Sequence, residues 1–184
     1  FMSLSSAGLI SKHYQSFILG TALNTQMGGF AFEGNYVKAD LNESNQNLDS
    51  FLVNMRYNLA INGAKTNISL NSSYYSNDQY YSFDEVMQSR YTLDNVFSTA
   101  LNGRPKSSNY IQLTQNLGQY YGALSVNYSQ YKFWHQENEQ KSLQLSYSNS
   151  YKGISYYLGL QRTQNDKYKS DRDTQYFLNV NIPF

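Results

Sequence analysis

The residues of this chain best suited to acid–base chemistry are its two histidines, His13 and His135. His135 follows Trp134 and precedes Glu137 and Glu139, so an imidazole and carboxylates could lie together as they do in a hydrolase. Covalent hydrolysis also needs an activated nucleophile, and no serine stands in a recognisable nucleophile motif. We therefore expect no catalytic residue, and we interpret His135 as a histidine of a connection or membrane interface.

Metal, cofactor and nucleic-acid sites have equally little support. The chain has no cysteine, which removes disulfides and thiolate metal sites. No glycine-rich phosphate loop leads from a strand into a helix, and the net charge of +1 provides no basic stripe for nucleic acid. Aspartates near the carboxyl end alternate with basic residues and do not form an oxygen-ligand loop: Asp166, Lys167, Lys169, Asp171, Arg172 and Asp173. We expect no metal, no cofactor and no nucleic-acid partner.

The elements that position side chains are clearest in "LQLSYSNSYKGISYYLGLQR", residues 143–162, where large and small side chains alternate. A two-residue Lys152-Gly153 turn would pair Tyr151 with Ile154 and thereby fix every later pair of the hairpin. One face then carries Leu143, Leu145, Tyr147, Tyr156, Leu158 and Leu160. The opposite face carries Gln144, Ser146, Ser148, Ser150, Ser155 and Gln161.

The same alternation recurs along the chain and predicts an all-β protein without a convincing helix. Charged residues make up 15% of the sequence, below the roughly 25% usual in soluble domains, and 19 tyrosines supply much of its hydrophobic share. Ten strands are predicted near residues 1–10, 14–25, 30–40, 48–61, 66–76, 109–117, 121–133, 141–151, 154–163 and 174–184.

The connections between these strands alternate between short and long from the second strand onward. The short ones are Met27-Gly28-Gly29, Asn62-Gly63-Ala64, 118–120 and Lys152-Gly153. The long ones hold much of the charge, and they are 41–47, 77–108, 134–140 and 164–173. Outer-membrane barrels place short turns on the periplasmic side and long loops outside. The pattern predicts an antiparallel meander of transmembrane strands, with segment 77–108 either a surface loop or a constriction folded into the barrel.

A membrane barrel assigns a solvent to each face of the 143–162 hairpin. Lipid meets the leucine and tyrosine face, and water in the lumen meets the serine and glutamine face. The Lys152-Gly153 turn is then expected to be periplasmic. Aromatic residues that gather near strand ends would form interfacial girdles: Tyr74, Tyr75, Tyr80, Tyr81, Tyr120, Tyr121 and 131–134.

Residues 141–184, "KSLQLSYSNSYKGISYYLGLQRTQNDKYKSDRDTQYFLNVNIPF", closely resemble the outer-membrane usher family of the chaperone-usher pilus pathway. Its members share a hairpin of the form "YSxSxxGxSYxLxxxRT" that leads through a charged loop to "xxIPF" or "xxIPL". Upstream, "GTALNTQMGGFAFEGNYVKAD" at 20–40 is similar to the family's "G-N-G-x-G-A-x-S-x-D-x-T" hairpin. The stretch "SLNSSYYSNDQYYSFDEV" at 69–86 is similar to its "YRYSTxGYYxFxE" segment.

The resemblance implies that residues 1–184 form part of the translocation pore of a larger barrel. It implies as partners the outer-membrane lipid, the remaining usher strands, and the complexes of periplasmic chaperone with pilus subunit that ushers receive. The amino-terminal domain, plug domain and carboxy-terminal domains of ushers have no counterpart in this sequence, so a fragment is expected. No functional residue is carried over from the family, because its best-known functional surfaces lie in those domains.

Two other classes stay open at this point. A complete ten-stranded outer-membrane barrel, porin-like or a surface enzyme, would explain the terminal Phe184, because such barrels often end in an aromatic insertion signal. A soluble extracellular β-rich adhesin segment would explain the polar surface, with the Leu143 and Leu145 face covered by a second sheet. An isolated piece of a large barrel would also leave two open strand edges, which favour aggregation.

Overall fold

The computed structural model describes residues 1–41, 47–91, 103–136, 139–165 and 172–182. In these residues strands follow one another along the chain, and one described helix lies between the fifth and the sixth. The elements are β1 (Met2–Ile10), β2 (Tyr14–Thr25), β3 (Gly28–Asp40), β4 (Asn47–Ile61), β5 (Thr66–Tyr75), α1 (Phe83–Tyr91), β6 (Pro105–Gly118), β7 (Gly122–Phe133), β8 (Glu139–Tyr151), β9 (Ile154–Asn165) and β10 (Arg172–Asn181).

All ten strands belong to one sheet, in which each strand pairs antiparallel with its neighbour in the sequence. The predicted all-β meander is confirmed, and the strand bounds differ from the prediction by a few residues. The largest difference is in β6, which begins at Pro105, four residues before the predicted start. Among the described residues β1 pairs with β2 alone and β10 with β9 alone, so the sheet has two open edges.

The register of the β8–β9 hairpin is the predicted one, from Tyr151 opposite Ile154 to Leu143 opposite Arg162. The turn explains this agreement. Lys152 has a φ of 49° and Gly153 a φ of 83°, and positive φ at both central residues is the type I′ geometry that matches the twist of the flanking strands. Glycine adopts such a φ without strain, so the Lys-Gly pair fixes where β8 ends and β9 begins.

The helix α1 is a correction, because no helix was predicted. Its first turn is a capping box: the Ser82 Oγ accepts from the Glu85 backbone N–H at 3.3 Å, and the Glu85 Oε2 accepts from the Ser82 backbone N–H at 2.7 Å. This Ser-x-x-Glu pair was the available sequence signal. Within the described ranges, no helix combines the length and apolar composition that crossing a membrane requires.

Candidate functional site: the two faces of the sheet

One face of the sheet, which we call the apolar face, exposes large hydrophobic side chains along its strands. In the β8–β9 hairpin the exposed fractions are 47% for Leu143, 44% for Leu145 and 46% for Leu158. Tyr147, Tyr156 and Leu160 lie on the same face and are partly exposed. Other strands contribute similar side chains to it, among them Phe17, Leu19, Phe32, Phe51, Met55 and Ile111. Such a contiguous apolar surface marks a face that water does not normally cover.

The opposite face, which we call the polar face, carries uncharged hydrogen-bonding side chains. Across four neighbouring strands Tyr110 Oη donates to Asn127 Oδ1 at 3.3 Å, and Asn127 Nδ2 donates to Gln144 Oε1 at 3.4 Å. Gln144 Nε2 then donates to Tyr157 Oη at 3.0 Å. These bonds connect β6 to β9, so the side chains are held against the sheet as a continuous polar surface.

A glycine lets this surface lie flat near Ser146. An added Cβ at Gly159 would meet the Tyr157 ring at 3.1 Å and the Phe177 ring at 3.3 Å. The missing side chain therefore leaves room for Tyr157 to lie over Gly159 and reach Gln144. Ser146, which pairs with Gly159, is only 8% exposed.

The turn end of the polar face holds an open recess of about 710 Å³. Its lining includes three of the predicted residues, Ser148, Ser150 and Ser155. Ser155 Oγ donates to Ser150 Oγ at 3.3 Å across the hairpin. The predicted set thus divides by face as the alternation indicates, and Gln144, Ser146, Ser148, Ser150, Ser155 and Gln161 share the polar face.

A segment between β5 and β6, residues 76–91 including α1, packs on the polar face of β2–β4; we call it the cap. Directly paired residues share a face, and the pairs lead from Gln144 through Asn127, Gln112, Ser69 and Asn58 to Gly29. Val37 is an even number of residues beyond Gly29 in β3, so it is on the polar face. Val37 and Val86 of the cap are fully buried in one cluster, which also contains Tyr14, Ala39, Leu48 and Tyr81.

Tyr80 of the cap contacts two strands of the sheet, β3 and β5. Tyr80 Oη accepts from Asn35 Nδ2 at 2.9 Å, and its ring contacts Tyr75 edge-on with centroids 5.2 Å apart. Burial raises the pKa of the Tyr80 hydroxyl to about 12, because the phenolate would lose its hydration there. Ser76 Oγ lies 3.4 Å from Ser50 Oγ and fixes the start of the segment.

Arg104, just before β6, ties the cap to the sheet. Its Nη1 donates to the Tyr80 carbonyl at 3.0 Å and to Glu85 Oε1 at 2.9 Å. The guanidinium also lies over the Tyr81 ring, 4.0 Å from its centroid. Burial raises the pKa of the Tyr81 hydroxyl, and the positive charge of Arg104 opposes that rise. Arg104 is 6% exposed, and its Nε and Nη2 have no hydrogen-bond partner among the described residues.

Two expectations about this region are corrected. Tyr80 and Tyr81 were predicted in an interfacial girdle, but both belong to the cap and pack with the buried cluster on the polar face, where Tyr81 is 4% exposed. Of segment 77–108, residues 77–91 pack on the polar face and residues 105–108 belong to β6. Sequence reasoning also missed Arg104, because its partner Glu85 is 19 residues away and neither residue stands in a local motif.

Both histidines pair with aspartates at the end of the sheet that carries the long connections. His13 Nδ1 lies 3.1 Å from Asp40 Oδ2, and His135 Nε2 contacts Asp78 Oδ2. Glu139 instead binds Lys132 at 2.8 Å and Lys141 at 2.9 Å, so it does not join His135. Of the two carboxylates that the sequence places near His135, the described Glu139 pairs with lysines instead, and Glu137 lies outside the described residues.

The described parts of the chain contain no cluster of three or more His, Asp or Glu side chains placed to share a metal ion. Asp173 and the backbone of Arg172 belong to β10. The other residues of the interleaved acidic and basic run, which are Asp166, Lys167, Lys169 and Asp171, lie outside the described residues.

Comparison with known proteins adds a family and a fold. Residues 2–184 match the family described as "Outer membrane usher protein". The usher HifC of Haemophilus influenzae is 26% identical over 184 residues, which cover 99% of this chain and 22% of the relative. The usher MrkC of Klebsiella pneumoniae is 25% identical over 171 residues, or 92% of this chain and 20% of the relative.

A solved structure shares the fold. The P pilus usher (PapC) translocation pore superposes with a TM-score of 0.67 at 14% identity, covering the whole of this chain and 36% of the other. At that identity the likeness concerns architecture alone. The chain spans about a fifth of the length of HifC and of MrkC, 22% and 20%.

Proposed function

Because this chain belongs to the outer membrane usher protein family, we propose that its ten strands form part of the wall of an usher translocation pore in the outer membrane. The cargo would be pilus subunits that a periplasmic chaperone delivers to the complete protein. The role is passage and assembly, without bond chemistry by the described residues. The plug and terminal domains of ushers would lie in other parts of that protein.

The separation of side chains between the two faces carries this proposal. The apolar face suits lipid tails, because leaving Leu143, Leu145 and Leu158 exposed to water would be unfavourable. The polar face suits an aqueous lumen, since the Tyr110 to Tyr157 series offers hydrogen bonds without fixed charge. The strands have nine to fifteen residues, and spanning a bilayer takes roughly 9–11.

The open edges support the placement within a larger wall. Unpaired backbone groups at a sheet edge cost free energy in a bilayer unless another strand satisfies them. We propose that β1 and β10 each pair with a further strand of the complete usher. The short turns, including Lys152-Gly153, would face the periplasm, as short barrel turns do.

Single-cysteine labelling in the complete outer-membrane protein tests the assignment of the faces. The segment has no native cysteine, so each probe is unique within it. Ser148→Cys should react with a membrane-impermeant maleimide added to both sides of the membrane. Leu145→Cys, on the apolar face, should react only with a lipid-soluble maleimide. The opposite reactivity would exclude the proposed orientation.

Passage itself is tested in cells that depend on the complete usher for surface pili. Replacing Ser148 by Trp should narrow the passage and reduce the number of pili, while usher abundance in the outer membrane stays unchanged. Leu145→Trp, on the apolar face, is the matched control and should leave piliation unchanged. Equal piliation in both variants would argue against a pore that the polar face lines.

A further inference from the structure

The polar face is not one uniform surface, since the cap covers part of it. Beneath the cap the face is largely apolar, apart from Asn35 and Ser50: Val37 and Ala39 of β3 and Leu48 of β4 are buried there, together with Tyr14 of β2. A lumen lined by these side chains would expose hydrophobic area to water, which the cap prevents. This part of the wall is therefore occupied by the chain's own residues.

The polar face of β6–β9 has the opposite character. From Ser108 through Asn165 its side chains carry no formal charge, and no described residue packs over them as the cap packs over β2–β4. Elsewhere on the same face Glu33 and Arg56 introduce charges, and Glu33 accepts from Asn54 Nδ2 at 3.0 Å. Uncharged hydrogen-bonding groups bind each partner weakly, because water competes for the same bonds.

We propose that the cap, held by Arg104, closes the β2–β4 wall to passing subunits at the end with the long connections, and that at this end the subunits contact β6–β9. This inference rests on the proposed function and adds where the cargo touches the wall. A folded subunit of either net charge could move along this surface, because no ionic contact would hold it in place. The kind of partner that fits is a protein with a polar, uncharged flank.

Arg104 is the positioning residue of this arrangement. It contacts the cap at three points, the Tyr80 carbonyl, the Glu85 carboxylate and the Tyr81 ring, while the backbone carbonyl of Arg104 itself accepts from the Trp134 N–H at 2.8 Å. Trp134 follows β7, so Arg104 joins the cap to the adjoining part of the sheet. Loss of the guanidinium should free the cap without removing a strand pair.

A matched pair of serines tests the inference in the complete usher with a subunit in transit. Ser50 in β4 and Ser142 in β8 each lie three residues after the start of their strand, on the polar face and at the same end of the sheet. Ser50 is 3% exposed beneath the cap, whereas Ser142 is partly exposed. Each serine is replaced by cysteine, labelled with an impermeant maleimide and, separately, cross-linked to a cysteine on the subunit surface.

We expect Ser142→Cys to be labelled and cross-linked and Ser50→Cys to be protected from both reactions. Combining Ser50→Cys with Arg104→Ala should raise its labelling rate by about tenfold or more, since the change removes all three contacts of the buried guanidinium with the cap. Glu85→Gln offers a milder second variant, because glutamine keeps the capping box but removes the charge. Heat-modifiable mobility, a difference in gel migration between unheated and heated samples of each variant, confirms that the barrel has folded.

The outcomes separate this inference from the proposed function. Labelling of Leu145→Cys together with protection of Ser142→Cys would overturn the assignment of the faces itself. Labelling of Ser142→Cys without a cross-link to the subunit would overturn the contact surface alone. Equal reactivity of the two serine positions in the presence of Arg104 would show that the cap does not close the wall. If Ser50→Cys stayed protected both with Arg104→Ala and with Glu85→Gln, Arg104 would not be the residue that positions the cap.

Discussion

The polar face has two regions that differ in what covers them. Over β6–β9 it presents Tyr110, Asn127 and Gln144 in a hydrogen-bonded series. Over β2–β4, at the end with the long connections, it presents Val37 and Leu48 to the cap. The strands of both regions pair in the same antiparallel way. The two regions lie on the same face of the sheet, yet one carries apolar and the other polar side chains. The side-chain type at each position therefore follows from what covers that position, the cap or solvent.

Placing a charge in each region should separate them most strongly. Val37→Asp puts a carboxylate among fully buried side chains, and we expect it to destabilise the packed cap by about 3 kcal/mol or more, because the carboxylate finds no partner there. Ser125→Asp on the open wall should change stability by less than about 0.5 kcal/mol. Hydrogen exchange of residues 76–91 in the complete protein measures the first effect, and urea unfolding compares both.

If Val37→Asp and Ser125→Asp lost the same stability, the two regions would not differ, and the cap would not exclude water from Val37. An isosteric control, Val37→Thr, introduces a hydroxyl without charge. It should lie between the other two variants, because an unpaired buried hydroxyl costs less than a carboxylate.

Removal of the Arg104 side chain should have the next largest effect. Arg104→Ala breaks the ion pair with Glu85 and the ring contact with Tyr81. We expect about 2 kcal/mol of lost cap stability, below the roughly 3–5 kcal/mol of a fully buried pair, because the Glu85 side chain is 40% exposed and can be hydrated.

Lys106→Ala provides the control for Arg104. Lys106 is a neighbouring exposed cation that lies 4.7 Å from the Trp134 ring centroid and makes no described contact with the cap. Its removal should cost less than about 1 kcal/mol, as exposed cation–π pairs do. Hydrogen exchange of residues 76–91 is the measurement in both variants. Similar exchange in the two variants would show that Arg104 does not hold the cap.

A smaller effect is expected at the start of α1. Ser82→Ala removes the hydroxyl that caps the helix and should destabilise it by about 1 kcal/mol, while Ser82→Asp should retain the cap. Exchange of the helix amides is the readout, with the β8–β9 amides as internal reference. If the alanine and aspartate variants exchange alike, the capping box does not determine this helix.

The smallest predicted effect lies in the open region. Gly159→Ala places a Cβ against the Tyr157 ring and should weaken the bond between Tyr157 and Gln144, costing about 0.5 kcal/mol, the low end for one hydrogen bond. Gly63→Ala, whose added Cβ would meet nothing within 4 Å, is the control and should be nearly neutral. Urea unfolding of the complete protein compares the two. A neutral Gly159→Ala would show that Tyr157 moves aside freely.

The strands and the β8–β9 register could be predicted because their causes are local. Alternation with a period of two identifies a strand, and the Lys152-Gly153 turn determines which residues pair. The division of Leu145 from Ser146 between opposite faces follows directly from that register. The choice of lipid or lumen for each face stays a prediction, which the labelling experiment tests.

The cap could not be predicted in the same way, because its stability comes from contacts between distant residues. Tyr80 and Tyr81 have high strand propensity, and a period-two interpretation cannot show that a connection folds back over the sheet. The bond from Asn35 to Tyr80 spans 45 residues. Only the Ser82 to Glu85 capping box was legible in the sequence, and it indicates a helix without indicating what the helix packs against.

The meander topology has a consequence for how such a wall is made. Every strand pair joins neighbours in the sequence, so each pair closes only the connection between its own two strands, of which 76–104 is the longest. Proteins dominated by such local pairings fold faster than those that must first join distant segments. The wall can therefore grow one hairpin at a time, each new strand forming on the edge left by the previous one. In the proposed pore, the pairing of the first and last strands of the complete barrel would join segments distant in the sequence, so we expect it to form last.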